Sequence, residues 1–258
     1  MTEKEKPETP ESSDVGISLN ETIKSSDLGS LMKDFGEVAL DSVVKDGVLR
    51  DIPVISSIVG AAKLAISIRD TLLVKKILYF LRELGDTTEE ERKKFLQEFE
   101  EDPKEQRKVG ENLILLLDRL DNLNKPAMVA KLMKAHLKRE ITNYDEFVYY
   151  SSIVDRTSML DLSALLSHFS TGDVDEEWLG QRFYHLGLSF MTVTVNPKFR
   201  PEPDNPSDAV VYSLLEKREP TNKAILRYKL SQSAYIFAKI LLGDQYGGKE
   251  FRSDPSDW

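Results

Sequence analysis

The stretch from Ile52 to Leu84 constrains this chain more than any other, because its first half is apolar nearly all the way round a helix. Pro53 suits a first helical turn and Gly85 suits a stop, so the spacing predicts one helix between them. Ser56, Gly60, Lys63, Ser67 and Asp70 recur at alternating steps of four and three, which places them on one narrow seam. Ile55, Ile58, Val59, Ala62, Leu64, Ile66 and Ile68 cover the remaining circumference. A helix apolar on most sides has to be enclosed, by a protein core or by lipid. Beyond Arg69-Asp70 the pattern becomes amphipathic, with Leu72, Leu73, Ile77, Leu78, Phe80 and Leu81 opposed by Lys75, Lys76 and Arg82.

Two destinations suit such a segment. The commoner is a central core helix that never moves. The sharper is conditional exposure, in which Gly60 and the serines permit close helix approach and the segment acts on a membrane or a partner protein. Lys63 opposes unaided spanning, since a charge at the bilayer centre costs about 3 kcal/mol. An oligomer that turned the polar seam toward a wet interior would remove that objection. The candidate effector residues are therefore Ser56, Ile58, Gly60, Ala62, Lys63, Ile66, Ser67 and Asp70.

The flanking sequence supplies the enclosure. Residues 1–26 are rich in Glu, Pro, Ser and Thr and read as a disordered acidic tail. Asp27 then caps a helix through Leu28, Leu31, Met32, Phe35, Val38, Ala39 and Val43, which Gly47 ends. Thr88 and Glu91 have capping-box spacing, with acids filling the positive end of the helix dipole. After Pro103 a face of Val109, Leu113, Leu116, Leu117 and Leu120 repeats at helical steps, and Lys125-Pro126 breaks that helix. Further helices run through Met128–His136, Tyr144–Val154 and Met159–Phe169. Residues 27–170 thus read as a multi-helix bundle.

Ser170-Thr171-Gly172-Asp173 changes the character of the chain. A helix opening at Asp175-Glu176-Glu177-Trp178 ends at Leu186-Gly187, and a β-rich run from Leu188 to Val195 follows. A proline-rich loop, a short helix around Val210–Leu215, a strand from Ala224 to Leu230 and a last helix through Tyr235–Leu241 complete residues 171–243. Residues 244–258 read as a flexible tail. The fold class is mainly α, with a small α+β, winged-helix-like C-terminal module.

The chemistry-bearing residues are sparse. His136, His168 and His185 fall on three separate helices with no pair at metal-ligand spacing. There is no Gly-x-Ser-x-Gly elbow and no glycine-rich phosphate loop. With no cysteine, thiolate catalysis and disulfides are excluded, and a reducing, cytoplasmic setting is expected. The net charge of -9 disfavours nucleic acid and anionic lipid at long range. The expectation is a non-enzymatic protein without metal or cofactor, working through a protein partner or self-association, with conditional membrane contact.

Leu186-Gly187-Leu188, the variable loop, Tyr228-Lys229-Leu230-Ser231 and the helix Ala234–Leu242 resemble the tail of bacterial abortive-infection proteins of the Abi-alpha type. Those proteins also place an apolar, glycine-containing helical segment upstream, as Ile52–Leu84 does here. The resemblance covers the last third of the chain and that segment. It implies a role in phage defence and supplies no catalytic residues. The other reading is a regulatory module whose winged-helix-like end binds nucleic acid or a small ligand, although the acids opening its first helix favour protein over DNA.

Overall fold

A computed structural model describes residues 12–34, 52–59, 67–99, 103–168, 172–197 and 222–243. The chain divides into two compact units, 1–159 and 160–258. The first unit holds α1 (Ser12–Lys24), α2 (Leu28–Asp34), α3 (Pro53–Val59), α4 (Ile68–Leu84), α5 (Glu89–Gln97), α6 (Pro103–Arg119), α7 (Lys125–Leu137) and α8 (Tyr144–Arg156). The second holds nearly all of α9 (Met159–His168), then β1 (Asp173–Val174), α10 (Glu177–His185), β2 (Ser189–Pro197), β3 (Asn222–Leu230) and α11 (Gln232–Leu242). The fold is mainly α, with a small α+β module toward the C-terminus.

In the first unit α4 is the shared support, packing on α7, α6, α2 and α3. Its buried side chains Val74, Ile77, Leu78, Phe80, Leu81 and Leu84 form the amphipathic face that the spacing predicts. The capping box on α5 forms in both directions: Thr88 Oγ1 accepts from Glu91 N, and Glu91 Oε2 accepts from Thr88 N at 2.8 Å. On α6 the expected face Val109, Leu113, Leu116, Leu117 and Leu120 is buried throughout.

Two expectations are corrected. Residues 12–24 are not part of a disordered tail but form α1, which packs on α6, α3, α5 and α2. Its inward residues include Leu19 and Ile23, one turn apart, with Gly16, Asn20 and Thr22 beside them. Nor does one helix run from Pro53 to Leu84. Ser67 is extended (φ -68°, ψ 157°) and caps α4 by accepting from Asp70 N at 3.0 Å. A residue in the β region with its side chain on the helix N-terminus is a helix start, so the chain breaks there. The expected continuation of the first helix beyond Asp34, the Val210–Leu215 helix and the C-terminal tail lie outside the described residues.

The second unit is built on an antiparallel sheet of order β1-β3-β2. β2 and β3 pair over their whole length, from Ser189↔Leu230 to Pro197↔Asn222. The two-residue β1, too short to read from the sequence, pairs Asp173↔Lys229 and Val174↔Tyr228. Helix α10 packs on all three strands. Gly180 makes this close approach possible, since a Cβ there would overlap the Tyr228 side chain, and Ser189 Oγ donates to the Gly180 carbonyl at 2.9 Å.

Candidate effector segment and its cover

The apolar helix α3 is enclosed. Val54, Ile55, Ile58 and Val59 are buried, while Ser56 faces out. Enclosure is what the composition demands of such a segment. Of the remaining candidate effector residues, Gly60, Ala62, Lys63 and Ile66 lie outside the described residues. Ser67 and Asp70 belong to the cap and first turn of α4. Ser56 thus belongs to one helix and the Ser67–Asp70 pair to the start of the next.

The element on α3 that the sequence did not announce is α1. Its contacts with α3 include hydroxyl groups as well as apolar side chains. Ser18 Oγ lies 2.6 Å from Ser57 Oγ. Thr22 Oγ1 accepts from Val54 N at 3.2 Å, satisfying one of the donors left open at the start of α3. Thr22 in turn donates to the Ser18 carbonyl within its own helix. Against α6, α1 approaches almost backbone to backbone. A Cβ on Gly110 would overlap the Gly16 carbonyl, and one on Gly16 would stand 2.8 Å from Glu111 N. Asn20 Nδ2 donates to the Gln106 carbonyl at 2.8 Å, while its buried Oδ1 has no partner among the described residues. An unsatisfied buried acceptor weakens the seat of α1 on the bundle.

One side chain fastens the far end of α1. Arg92, on α5, is 2% exposed. Its Nε donates to the Ile23 carbonyl at 2.7 Å and one terminal nitrogen to the Ser25 carbonyl at 2.8 Å. The other terminal nitrogen donates to the Thr87 carbonyl. Ile23 and Ser25 carry carbonyls at the C-terminal end of α1, where the helix dipole favours a cation. Burial pulls the Arg92 pKa below the ordinary arginine value, and the carboxylates of Glu89, Glu91 and Glu90 oppose that shift.

On α4 and α6 several aliphatic side chains are exposed. Ile68 is 83% exposed at the first position of α4, Leu72 one turn on is exposed, and so is Leu115 on α6. Arg69 reaches Asp118 on α6 at 2.5 Å, and Lys76 donates to the Asp118 carbonyl at 2.7 Å. These bonds tie α4 to α6 alongside the exposed aliphatic residues.

Other titratable groups have structural partners. His136 is buried, its Nε2 3.1 Å from Glu98 Oε2, with Arg139 on the other oxygen of that carboxylate at 2.7 Å. Phe95 and Phe147 pack against its ring, which is 1% exposed. Lys125 is also buried, held by Asp121 Oδ1 at 2.6 Å and by the Asp155 carbonyl at the end of α8. His185 is exposed, and Asp161 is buried against Arg182 at 2.6 Å. Among the described residues no group of three His, Asp or Glu is placed to hold a metal ion, and no helix is long and apolar enough to cross a membrane.

No family model, no curated protein and no solved structure matches the chain.

Proposed function

We propose that this protein is a non-catalytic helical interaction protein whose apolar segment around α3 is exposed conditionally, by displacement of α1, to contact a partner protein or a membrane. The observation that carries the reading is the cover itself. Four aliphatic side chains of α3 are buried, and α1 packs on that helix, is bonded to it through Ser18 and Thr22, and carries an unsatisfied amide oxygen at Asn20. Hydroxyl and amide groups exchange protein partners for water at small net cost, whereas the aliphatic surface beneath them does not. Opening therefore yields a surface that needs a new partner.

Of the two targets, the sequence favours protein. Lys63 opposes spanning, since a charge at the bilayer centre costs about 3 kcal/mol. The cytosol is the setting expected for a chain without cysteine, and phage defence is the context that the Abi-alpha resemblance implies. The nucleic-acid alternative is disfavoured on α10, whose one arginine, Arg182, is held by Asp161.

Titration with urea in the presence of an apolar reporter dye tests the reading. Dye binding is expected to rise below the main unfolding transition as α3 is uncovered, and to fall in Ile58→Asp relative to wild type. If no dye binds before global unfolding, the reading fails. Release of contents from dye-loaded phosphatidylglycerol vesicles separates the two targets: leakage by wild type and not by Ile58→Asp assigns the membrane, and its absence leaves the protein partner.

A further inference from the structure

Strand β2 is an edge of the sheet among the described residues, and its own sequence carries no edge-protecting charge. Leu230 N donates to the Gly172 carbonyl at 2.8 Å, and Ser231 N donates to the Leu188 carbonyl at 2.9 Å. These two bonds fix the phase of the ladder: Phe190–Lys229 and Thr192–Arg227 are the directly hydrogen-bonded pairs between β2 and β3, and the pairs between them are not. The backbone N–H and C=O groups of Met191 and Val193, and by the same alternation those of Val195, point away from β3. No strand among the described residues meets that edge.

The composition of the edge is as informative as its geometry. Strand β2 reads Ser-Phe-Met-Thr-Val-Thr-Val-Asn-Pro, with no charged residue and its one proline at the last position. Native sheets protect open edges with lysine, bulges or central proline, and β2 has none of these. Its neighbour β3, in contrast, contains Lys223, Arg227 and Lys229. On the face shared by the two strands, Met191 is 42% exposed, Val193 55%, and Leu226, directly opposite Val193, 41%.

We infer that β2 is a self-association edge: two copies of the chain pair β2 with β2, antiparallel, about a two-fold axis at Val193. The central outward positions are Met191, Val193 and Val195, so the two-fold sets Val193 against Val193 of the partner subunit and Met191 against Val195 of the partner subunit. Each of these three central positions then meets an apolar residue, and the sheet extends to six strands in the order β1-β3-β2-β2-β3-β1. A second copy fits better than a foreign charged strand because the edge offers no charge to attract one. Two chains of net charge -9 repel each other elsewhere, and a neutral edge lets them meet without carboxylates at the contact. This inference concerns a different unit from the α1–α3 cover and stands apart from it.

Sedimentation of the full chain across the micromolar range tests the proposal. Wild type is expected at twice the chain mass, with association strengthened by added salt, since screening removes repulsion and no ion pair crosses the edge. Val193→Pro removes an outward N–H and leaves the β2–β3 bonds intact, while Val193→Lys places a guarding charge on the edge. Both are expected to sediment at the chain mass with unchanged circular dichroism, a loss of association of at least roughly tenfold. Val193→Cys introduces the chain's one thiol at the two-fold, where Cα atoms about 5.5 Å apart permit a disulfide on mild oxidation. A wild type at the chain mass throughout overturns the proposal. So does a dimer that survives both edge variants, one that dissolves in salt, or one whose Val193→Cys form stays reduced under oxidation.

Discussion

Replacing Arg92 with methionine keeps the volume of a long, unbranched side chain in the core while removing its guanidinium. In the native structure that group satisfies the carbonyls of Ile23, Ser25 and Thr87. A hydrogen bond from a charged donor contributes about 1.5–3 kcal/mol, so three set a ceiling of roughly 5–9 kcal/mol. Ser25 lies in a half-buried turn, where water can take the place of the guanidinium. With two acceptors left uncompensated, the expected loss is about 3–5 kcal/mol. Arg92→Lys restores a cation but offers a compact ammonium in place of a planar fork, and should recover about 1–2 kcal/mol. Urea unfolding followed by circular dichroism measures the loss, and hydrogen exchange locates it. Protection in residues 15–24 should fall further than protection in α7. A methionine variant within about 0.5 kcal/mol of wild type, with α1 protected as before, would refute the fastening role of Arg92.

Three further outcomes follow from the packing. Gly110→Ala should destabilise the first unit by about 1–3 kcal/mol in urea melts, because the overlap with the Gly16 carbonyl outweighs the roughly 1 kcal/mol gained in helix propensity. Gly180→Ala should lower the melting temperature of the second unit, with α10 forced off Tyr228; a calorimetric trace identical to wild type would contradict the tight packing there. The hydrogen bond from Lys125 holds Asp121 below the usual aspartate range. A depressed carboxylate stabilises the fold above its unfolded pKa, about 3.9, and that contribution is lost as pH falls through the folded value. Below about pH 4 the wild type should therefore lose stability that Asp121→Asn does not lose. Because Asp121 is exposed, the difference should stay under about 1 kcal/mol in pH-dependent urea melts.

The sequence made some of this architecture legible and hid the rest for physical reasons. Thr88 and Glu91 gave a local cap that forms as expected, and the Val109–Leu120 face is buried because its period matches one helix side. Ser67 was ambiguous: the same residue suits a polar seam and a helix cap, and Ser67 with Asp70 three positions on carries the capping spacing that the structure uses. Helix α1 was hidden because its inward face mixes Leu19 and Ile23 with Gly16, Asn20 and Thr22, residues whose burial is decided by their partners. Nothing local marks Gly16 and Gly110 as the facing points of a helix crossing. Nor does any motif announce that Arg92 will cap the end of a helix nearly seventy residues earlier. The candidate segment was readable as a greasy stretch, but its cover was not, since that cover is tertiary.

Covalent locking of α1 to α3 tests the central claim most directly. Ser18→Cys combined with Ser57→Cys replaces two hydroxyls 2.6 Å apart in a chain with no other thiol, so one bridge forms on oxidation. Hydrogen exchange of residues 54–59 is then compared in the reduced and oxidised proteins. If α1 lifts off while the bundle stays folded, those amides exchange faster than the amides of α7 when reduced and slow to the α7 rate when bridged. If residues 54–59 exchange at the α7 rate in both states, α3 opens only when the whole unit unfolds, and conditional exposure is contradicted.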